Sequence, residues 1–284
     1  MAEHPAPRIA LVTTQDLPVM DADEVILTAA LPEAEVVAWE DPDANWGAYD
    51  LVVLRSPWNY IDKLDEFIAW AARVAAVTTF VNPLHIIEWN TDKRYLADLA
   101  ERGIPIVPTQ FVEPGDEAPS GDLEGHLVVK PSVGNGSNGA KLFRDDPAGA
   151  AAHVKELHAQ GRTAMIQPYI DGVDENGETA LIYVGGEFSH AARKAAILSR
   201  DMSWSTGIYA DEKVVATTAS AAERELADAV VSELPGLAYA RVDLLPGADG
   251  PVVLELELTE PSLFLALDPG APARAAAAFR ALLP

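Results

Sequence analysis

YARVDLL (239–245) and PVVLELEL (251–258), joined by the turn PGADG (246–250), decide how this chain is read. Side chains alternate across a strand with period 2, and both runs carry that period. The even positions Ala240, Val242, Leu244, Val252, Leu254, Leu256 and Leu258 are apolar, whereas the odd positions include Arg241, Asp243, Glu255 and Glu257. The turn favours antiparallel pairing, and either short register that keeps the apolar faces together gathers three carboxylates and one guanidinium on one face. Like charges ~5 Å apart repel, so the pattern asks for a cation. Magnesium fits, because a hard cation takes carboxylate oxygens alongside phosphate oxygens. The wet side of an amphipathic sheet, with Arg241 neutralising one acid, gives the same pattern.

Working outward, strands and helices alternate at the N-terminal end. Residues 8–12, 36–40 and 49–55 read as strands, and 21–31 and about 62–75 as helices, which predicts a small α/β layer with a parallel sheet. Ligands of such sheets sit beyond the C-terminal ends of the strands, so Arg55 to Tyr60, among them Trp58 and Asn59, are placed to meet a substrate. Thr91 and Asp92 predict the cap of a helix over 93–101 that stops at Gly103. Further on, 126–131 and 140–143 are strands around the loop SVGNGSNG (132–139). A helix over 147–160, a strand over 164–170, an acidic turn over 171–177 and a hairpin over 178–194 through Gly185-Gly186 follow. Helices over 220–233 and 271–283 flank the pair of strands that opened the reading.

The glycine loop spells G-x-G-x-x-G from Gly134 to Gly139. A dinucleotide or P-loop site needs a helix to open there, with its N-terminus towards the phosphates. AKLF and then RDDP follow instead, a strand and a turn, which argues against a dinucleotide oxidoreductase. A hairpin loop whose small residues bring backbone N–H groups to phosphate oxygens fits better, with a plain solvent-exposed loop as the alternative. Lys130 ends an apolar strand just before that loop, where one charge pair at 4 Å is worth ~4 kcal/mol before desolvation. Lys93 opens a predicted helix, against the helix dipole, which hints at an anionic partner unless the side chain is simply solvated. Arg193 and Lys194 end the strand carrying His190, and that histidine alone reads as a packed or surface residue. Asp171, Asp174, Glu175 and Glu178 lack the spacing of a calcium loop, although one of them can accept from ribose hydroxyls.

The 284 residues hold 20 Lys+Arg against 44 Asp+Glu, a formal charge of −24, which repels a phosphate backbone and argues against nucleic-acid partners. With no cysteine, disulfides and thiolate chemistry are excluded. MAEHPAPR is no signal peptide, and the most apolar run, 66–81, is broken by Arg73, so a cytoplasmic protein with no membrane partner is expected.

Taken in order, these segments resemble the ATP-grasp superfamily over nearly the whole chain. The resemblance rests on Lys93 in NTDK, Lys130 in VVKP, the 132–139 loop, Gln167 to Ile170, Arg193, and Asp243 with Glu255 and Glu257. Glu257 stands where that family usually has Asn. The fold implied is α/β, becoming α+β in the C-terminal part. An α/β domain over 1–88 would precede a central lobe over 89–172 and a C-terminal lobe over 173–284, the two lobes clasping ATP. The resemblance also implies roles. Lys93, Lys130, Ser132, Gly134, Gly136 and Ser137 would bind phosphates, Gln167, Pro168, Tyr169 and Ile170 the adenine, and Asp174 the ribose. Asp243, Glu255 and Glu257 would hold Mg2+. Arg193 and Lys130 would act on the transferred phosphoryl group, with Arg55, Trp58, Asn59, His190 and Arg241 around a small amino-acid-like substrate. LVVLRSPWNY, QPYIDGVDENGETAL, FSHAARK and LELELTEPSLFL further resemble the cyclo-ligases that close O-ureido-D-serine in D-cycloserine biosynthesis. The activity implied is ATP-dependent, ADP-forming carboxylate–nitrogen ligation through an acyl phosphate. A ligase joining two amino acids or peptides, and a nucleotide-binding module without turnover, are the alternatives; a homodimer is compatible with each.

Overall fold

In the computed structural model, residues 7–116, 125–136, 138–195 and 213–284 are described. Ser137 and residues 196–212 lie outside them. At the N-terminal end, β1 (Ile9–Thr13), β2 (Ala34–Ala38), β3 (Leu51–Ser56) and β4 (Thr79–Val81) form a parallel sheet in the order β2-β1-β3-β4. Its central strands are buried on both faces, which explains their unbroken apolar runs. Crossovers are supplied by α1 (Ala22–Ala30), which opens on an Asp21/Glu24 capping box, and α2 (Leu64–Ala75).

The middle of the chain differs from expectation at one place. A further short helix, α3 (Leu84–Asn90), precedes the helix expected over 93–101, which forms as α4 (Tyr95–Glu101), two residues late at its start. Lys93 lies in the turn between them, and its N–H donates to the Ser132 carbonyl at 2.9 Å. Four antiparallel strands follow, β5 (Gln110–Val112), β6 (His126–Pro131), β7 (Lys141–Arg144) and β8 (Ala164–Pro168), ordered β5-β8-β6-β7. They pack on α5 (Pro147–Ala159) through Val129, Val154 and Leu157. The acidic turn is a single helical turn, α6 (Gly172–Asn176).

The third sheet is antiparallel in the order β11-β10-β9-β12-β13, from β9 (Glu178–Val184), β10 (Glu187–Lys194), β11 (Val214–Thr217), β12 (Tyr239–Gly247) and β13 (Gly250–Glu257). One face carries Leu181, Tyr183, Val242 and Leu256 and packs on α7 (Ala221–Ser232). The other carries Ala180, Ile182 and Tyr239 and packs on Ile9 and Val53 of the first sheet and on α8 (Ala271–Arg280).

Edge strands leave backbone groups unpaired, and here side chains cover β13 and its exit. Asn90 donates to the Leu256 carbonyl and accepts from the Leu258 N–H, both at 2.8 Å, and the Tyr95 hydroxyl accepts from the Leu256 N–H at 2.9 Å. Asn82, fully buried, donates to the carbonyls of Tyr239 and Leu258 and accepts from the Ala238 N–H at 2.7 Å. Removing that amide strands three buried backbone groups, so Asn82→Ala should lower stability by about 3 kcal/mol or more, read as a fall in the urea midpoint.

Candidate active site

The second face of the third sheet does not stay apolar. Beyond Ile182 and Tyr239 it continues as Arg241, Asp243, Glu178 and Lys194, joined by Glu255 and Glu257. Register sets this: Arg241 lies opposite Glu257, Asp243 opposite Glu255, and Lys194 opposite Glu178. Lys194 Nζ reaches Glu178 at 2.6 Å and Asp243 at 3.2 Å, while the Arg241 guanidinium pairs with Asp243 at 2.9 Å and with Glu257. Burial resists the Asp243 charge, but Arg241 and Lys194 overcome it and hold the carboxyl well below the carboxylate range. Glu178 and Glu257 are pushed up, first by burial, then Glu178 by Asp243 against the pull of Lys194, and Glu257 by Glu255 and Asp243 against the pull of Arg241.

A cleft of about 730 Å³ opens over this face, within the usual range for small-ligand sites. Glu178, Glu255, Glu257, Lys93, Lys130, Lys194 and Arg241 line it. Lys93 bonds Glu255 at 3.0 Å and the Gly134 carbonyl at 2.5 Å. Burial opposes its charge, yet Glu255, Glu257 and Glu260 outweigh burial and raise its pKa. Lys130 has no ion pair among the described residues, and burial pushes its ammonium pKa down. The glycine loop crosses above. Gly136 and Gly139 take φ of +52° and +76°, a conformation L side chains rarely adopt, and Asn135 donates to the Trp58 carbonyl at 2.7 Å. One end of the cleft is apolar, made by Val107, Val173, Leu245 and Leu254 beside Gln167, Pro168, Tyr169 and Ile170. Leu254 reaches it through a β-bulge. The register slips after Asp243, so that Leu244 faces Val253, which turns into the core, and Leu254 joins Glu255 on the cleft side.

Several expected site residues stand elsewhere. Arg193 faces α7: it neighbours Thr179, whose hydroxyl bonds Glu223, and its own guanidinium donates to the Asn176 carbonyl at 2.7 Å. A straight hairpin would set Arg193 opposite Glu178, but the extra residue Ser189 shifts the register and gives that place to Lys194. His190 is buried behind the wall, bonded to the Leu263 carbonyl at 3.0 Å. Arg55, 2% exposed, bonds the Pro261 carbonyl at 2.6 Å, and Asn59 is held by Trp39 and Asp16, so of the three strand-end residues only Trp58 lines the cleft. Asp243 lies beneath Arg241 and Lys194 and is fully buried. Ser132 contributes its backbone, and Asp174 accepts from the Tyr169 hydroxyl at 2.5 Å. Tyr60, in the strand-end stretch expected to meet a ligand, also lines the wall, and two wall residues were not foreseen: Glu260, and Lys194 as an inward cation. For Glu260 the signal was its place directly after the alternating run, in TEP (259–261).

Among the described residues no three carboxylates converge closely enough to hold a metal by themselves. The donor set still fits magnesium in kind, since Glu255 and Glu257 offer hard oxygens and this ion binds through one or two carboxylates with substrate phosphates.

The family describing the N-terminal domain of D-cycloserine synthetase DcsG matches residues 9–82. Cycloserine biosynthesis protein DcsG of Streptomyces lavendulae is 39% identical, over 82% of this chain and 83% of that protein. A crystal structure of D-cycloserine synthetase DcsG superposes with a TM-score of 0.85 at 34% identity, covering 96% of this chain and 99% of the other. The D-alanine–D-alanine ligase of Bacillus anthracis, solved with ATP, shares the fold with a TM-score of 0.62 at 15% identity over 98% and 96% of the two chains.

Truncating Arg241 strands buried carboxylates. Arg241→Ala should therefore cost about 3–5 kcal/mol, seen in chemical unfolding.

Proposed function

The chain belongs to the ATP-grasp superfamily and, within it, to the D-cycloserine synthetase DcsG family, and from this we infer an ATP-dependent ligase that forms a carbon–nitrogen bond. The substrate we propose is a small amino-acid derivative of the O-ureido-D-serine kind, whose own nitrogen closes a ring. Its carboxylate oxygen takes the γ-phosphoryl group of ATP, releasing ADP, and the nitrogen then displaces phosphate from the acyl carbon.

The single observation that supports this reading is the cleft in which Lys93 and Lys130 stand with Glu255 and Glu257. Lys130, without a carboxylate of its own, is poised for phosphate oxygens, and Lys93 exchanges Glu255 for them. The apolar slot around Leu254 and Ile170 takes the adenine, whose edge meets the backbone of residues 167–170. Glu255 and Glu257, with Asp243 behind them, are the groups that would hold Mg2+, which when bound neutralises charge on the phosphates. Lys194 takes the place once expected of Arg193, facing the transferred phosphoryl group. The Asn135–Trp58 bond latches the glycine loop to the N-terminal sheet's side of the cleft, excluding water from an acyl phosphate that would otherwise hydrolyse. In this reading residues 1–88 form the substrate side and residues 89–172 and 173–284 the two lobes, and the protein acts in the cytoplasm, where ATP is supplied.

Incubation with ATP, Mg2+ and O-ureido-D-serine should release ADP and phosphate, with a cyclic product by mass spectrometry. A linear, two-substrate product would point to intermolecular ligation. ADP release from Lys130→Ala should fall by about 10²–10³-fold with the unfolding midpoint unchanged, because that ammonium has no ion pair to lose. Glu257→Asn should keep about a tenth of the activity or more, since the amide retains an oxygen donor on the same face.

A further inference from the structure

The charges around the ionic face pair off with two exceptions. Lys93 is matched with Glu255, Lys194 with Glu178 and Asp243, and Arg241 with Asp243 and Glu257. Asp21 and Asp23, on the far wall, are committed to backbone: Asp21 caps α1, and Asp23 accepts from the N–H groups of Leu263, Phe264 and Leu265 at 2.6–3.0 Å. Among the described charged residues that line the cleft and have no ion pair, Lys130 and Glu260 alone also lack a backbone N–H partner. Lys130 is accounted for by phosphate. Glu260 is not.

We propose that Glu260 binds the α-ammonium group of the substrate and so selects amino acids over plain carboxylic acids. The inference rests on the ligase reading above and names the recognition that reading leaves open. Glu260 is 9% exposed and lines the cleft. Its position is fixed twice: Oε1 accepts from the Tyr60 hydroxyl at 2.8 Å, and its backbone carbonyl accepts from the Trp58 indole N–H at 3.2 Å. Oε2 accepts no hydrogen bond among the described residues. A buried carboxylate with a neutral partner on one oxygen and none on the other lacks a cation, and an ammonium brings one positive charge and three donors.

Position adds to this. An α-amino acid carries its ammonium one carbon from the carboxylate that must reach the phosphoryl donor. Its anchor must therefore lie beside the phosphate-binding cations without being neutralised by them. Glu260 feels Lys93 and Arg241 but pairs with neither. Burial lifts its carboxyl to about 7, so an arriving ammonium completes its ionisation.

The test measures binding of O-ureido-D-serine and of its deamino analogue, 3-(ureidooxy)propanoate, by calorimetry with a non-hydrolysable ATP analogue present. The wild-type protein should prefer the amino compound by about 10- to 100-fold, the range for one charge-assisted contact. Glu260→Gln should abolish that preference while leaving the affinity for the ATP analogue unchanged, and Glu260→Asp, which keeps the charge, should retain part of it. Equal binding of the two compounds by the wild type overturns the inference. So does an equal loss of both in Glu260→Gln, or a loss of magnesium affinity with substrate binding intact. ATP turnover stimulated by neither compound overturns the O-ureido-D-serine reading on which the inference rests, and with it the role of Glu260.

Discussion

A charge inside a protein must find its opposite, and the buried second face of the third sheet is organised by that requirement. Asp243 has no solvent to soften its charge, so Arg241 and Lys194 are drawn onto it from the same strand and from β10. Those two cations then reach Glu257 and Glu178, and the network ends at the Lys93–Glu255 pair contributed by the turn before α4. Each member holds its neighbour in place. The same face, where it is apolar, docks the N-terminal sheet through Ile182 and Tyr239, so the ionic region is simply the part of the docking face left open as a cleft.

Alternation along β12 and β13 made most of this legible beforehand. Periodicity alone places Arg241, Asp243, Glu255 and Glu257 on one face, and the fully apolar runs at 9–12 and 51–54 announce a buried parallel sheet. What escaped has a common cause, which is the insertion of single residues into the ladders. Ser189 is invisible to a count from the Gly185-Gly186 turn, and with it goes the exchange of Arg193 for Lys194. Leu254 is apolar in either register, so nothing in the pattern says that it leaves the core for the cleft. Arg55, Asn59 and His190 illustrate a second limit. Polar residues near a strand end look alike whether they meet a ligand or a backbone carbonyl, and here the carbonyls of Pro261 and Leu263 claim two of them.

The segment 259–265 shows how those carbonyls are used. It follows β13 without regular structure until a 3-10 turn opens at Leu265, and its backbone is tied down from the N-terminal region by Asp23, Arg55 and Trp58. An irregular segment gains rigidity when its polar groups are satisfied from a firm neighbour. Glu260 is thereby presented at a fixed height on the cleft wall, although the residues on either side of it belong to no strand or helix.

The slip at Leu254 has a bearing on how such a protein can change. Up to the slip β13 turns its even residues Val252 and Leu254 to the apolar cluster at that end of the cleft, and beyond it its odd ones to the ionic face, so one strand serves a greasy compartment and an ionic compartment in opposite parity. Point mutations can retune either compartment alone, since no side chain is common to both. Losing or gaining one codon in that strand is another matter: it would swap the parity of one half and present the wrong residues to the wrong end. Lineages carrying this hairpin should therefore diverge in the apolar letters of β13 while Glu255, Glu257 and the strand's length stay fixed.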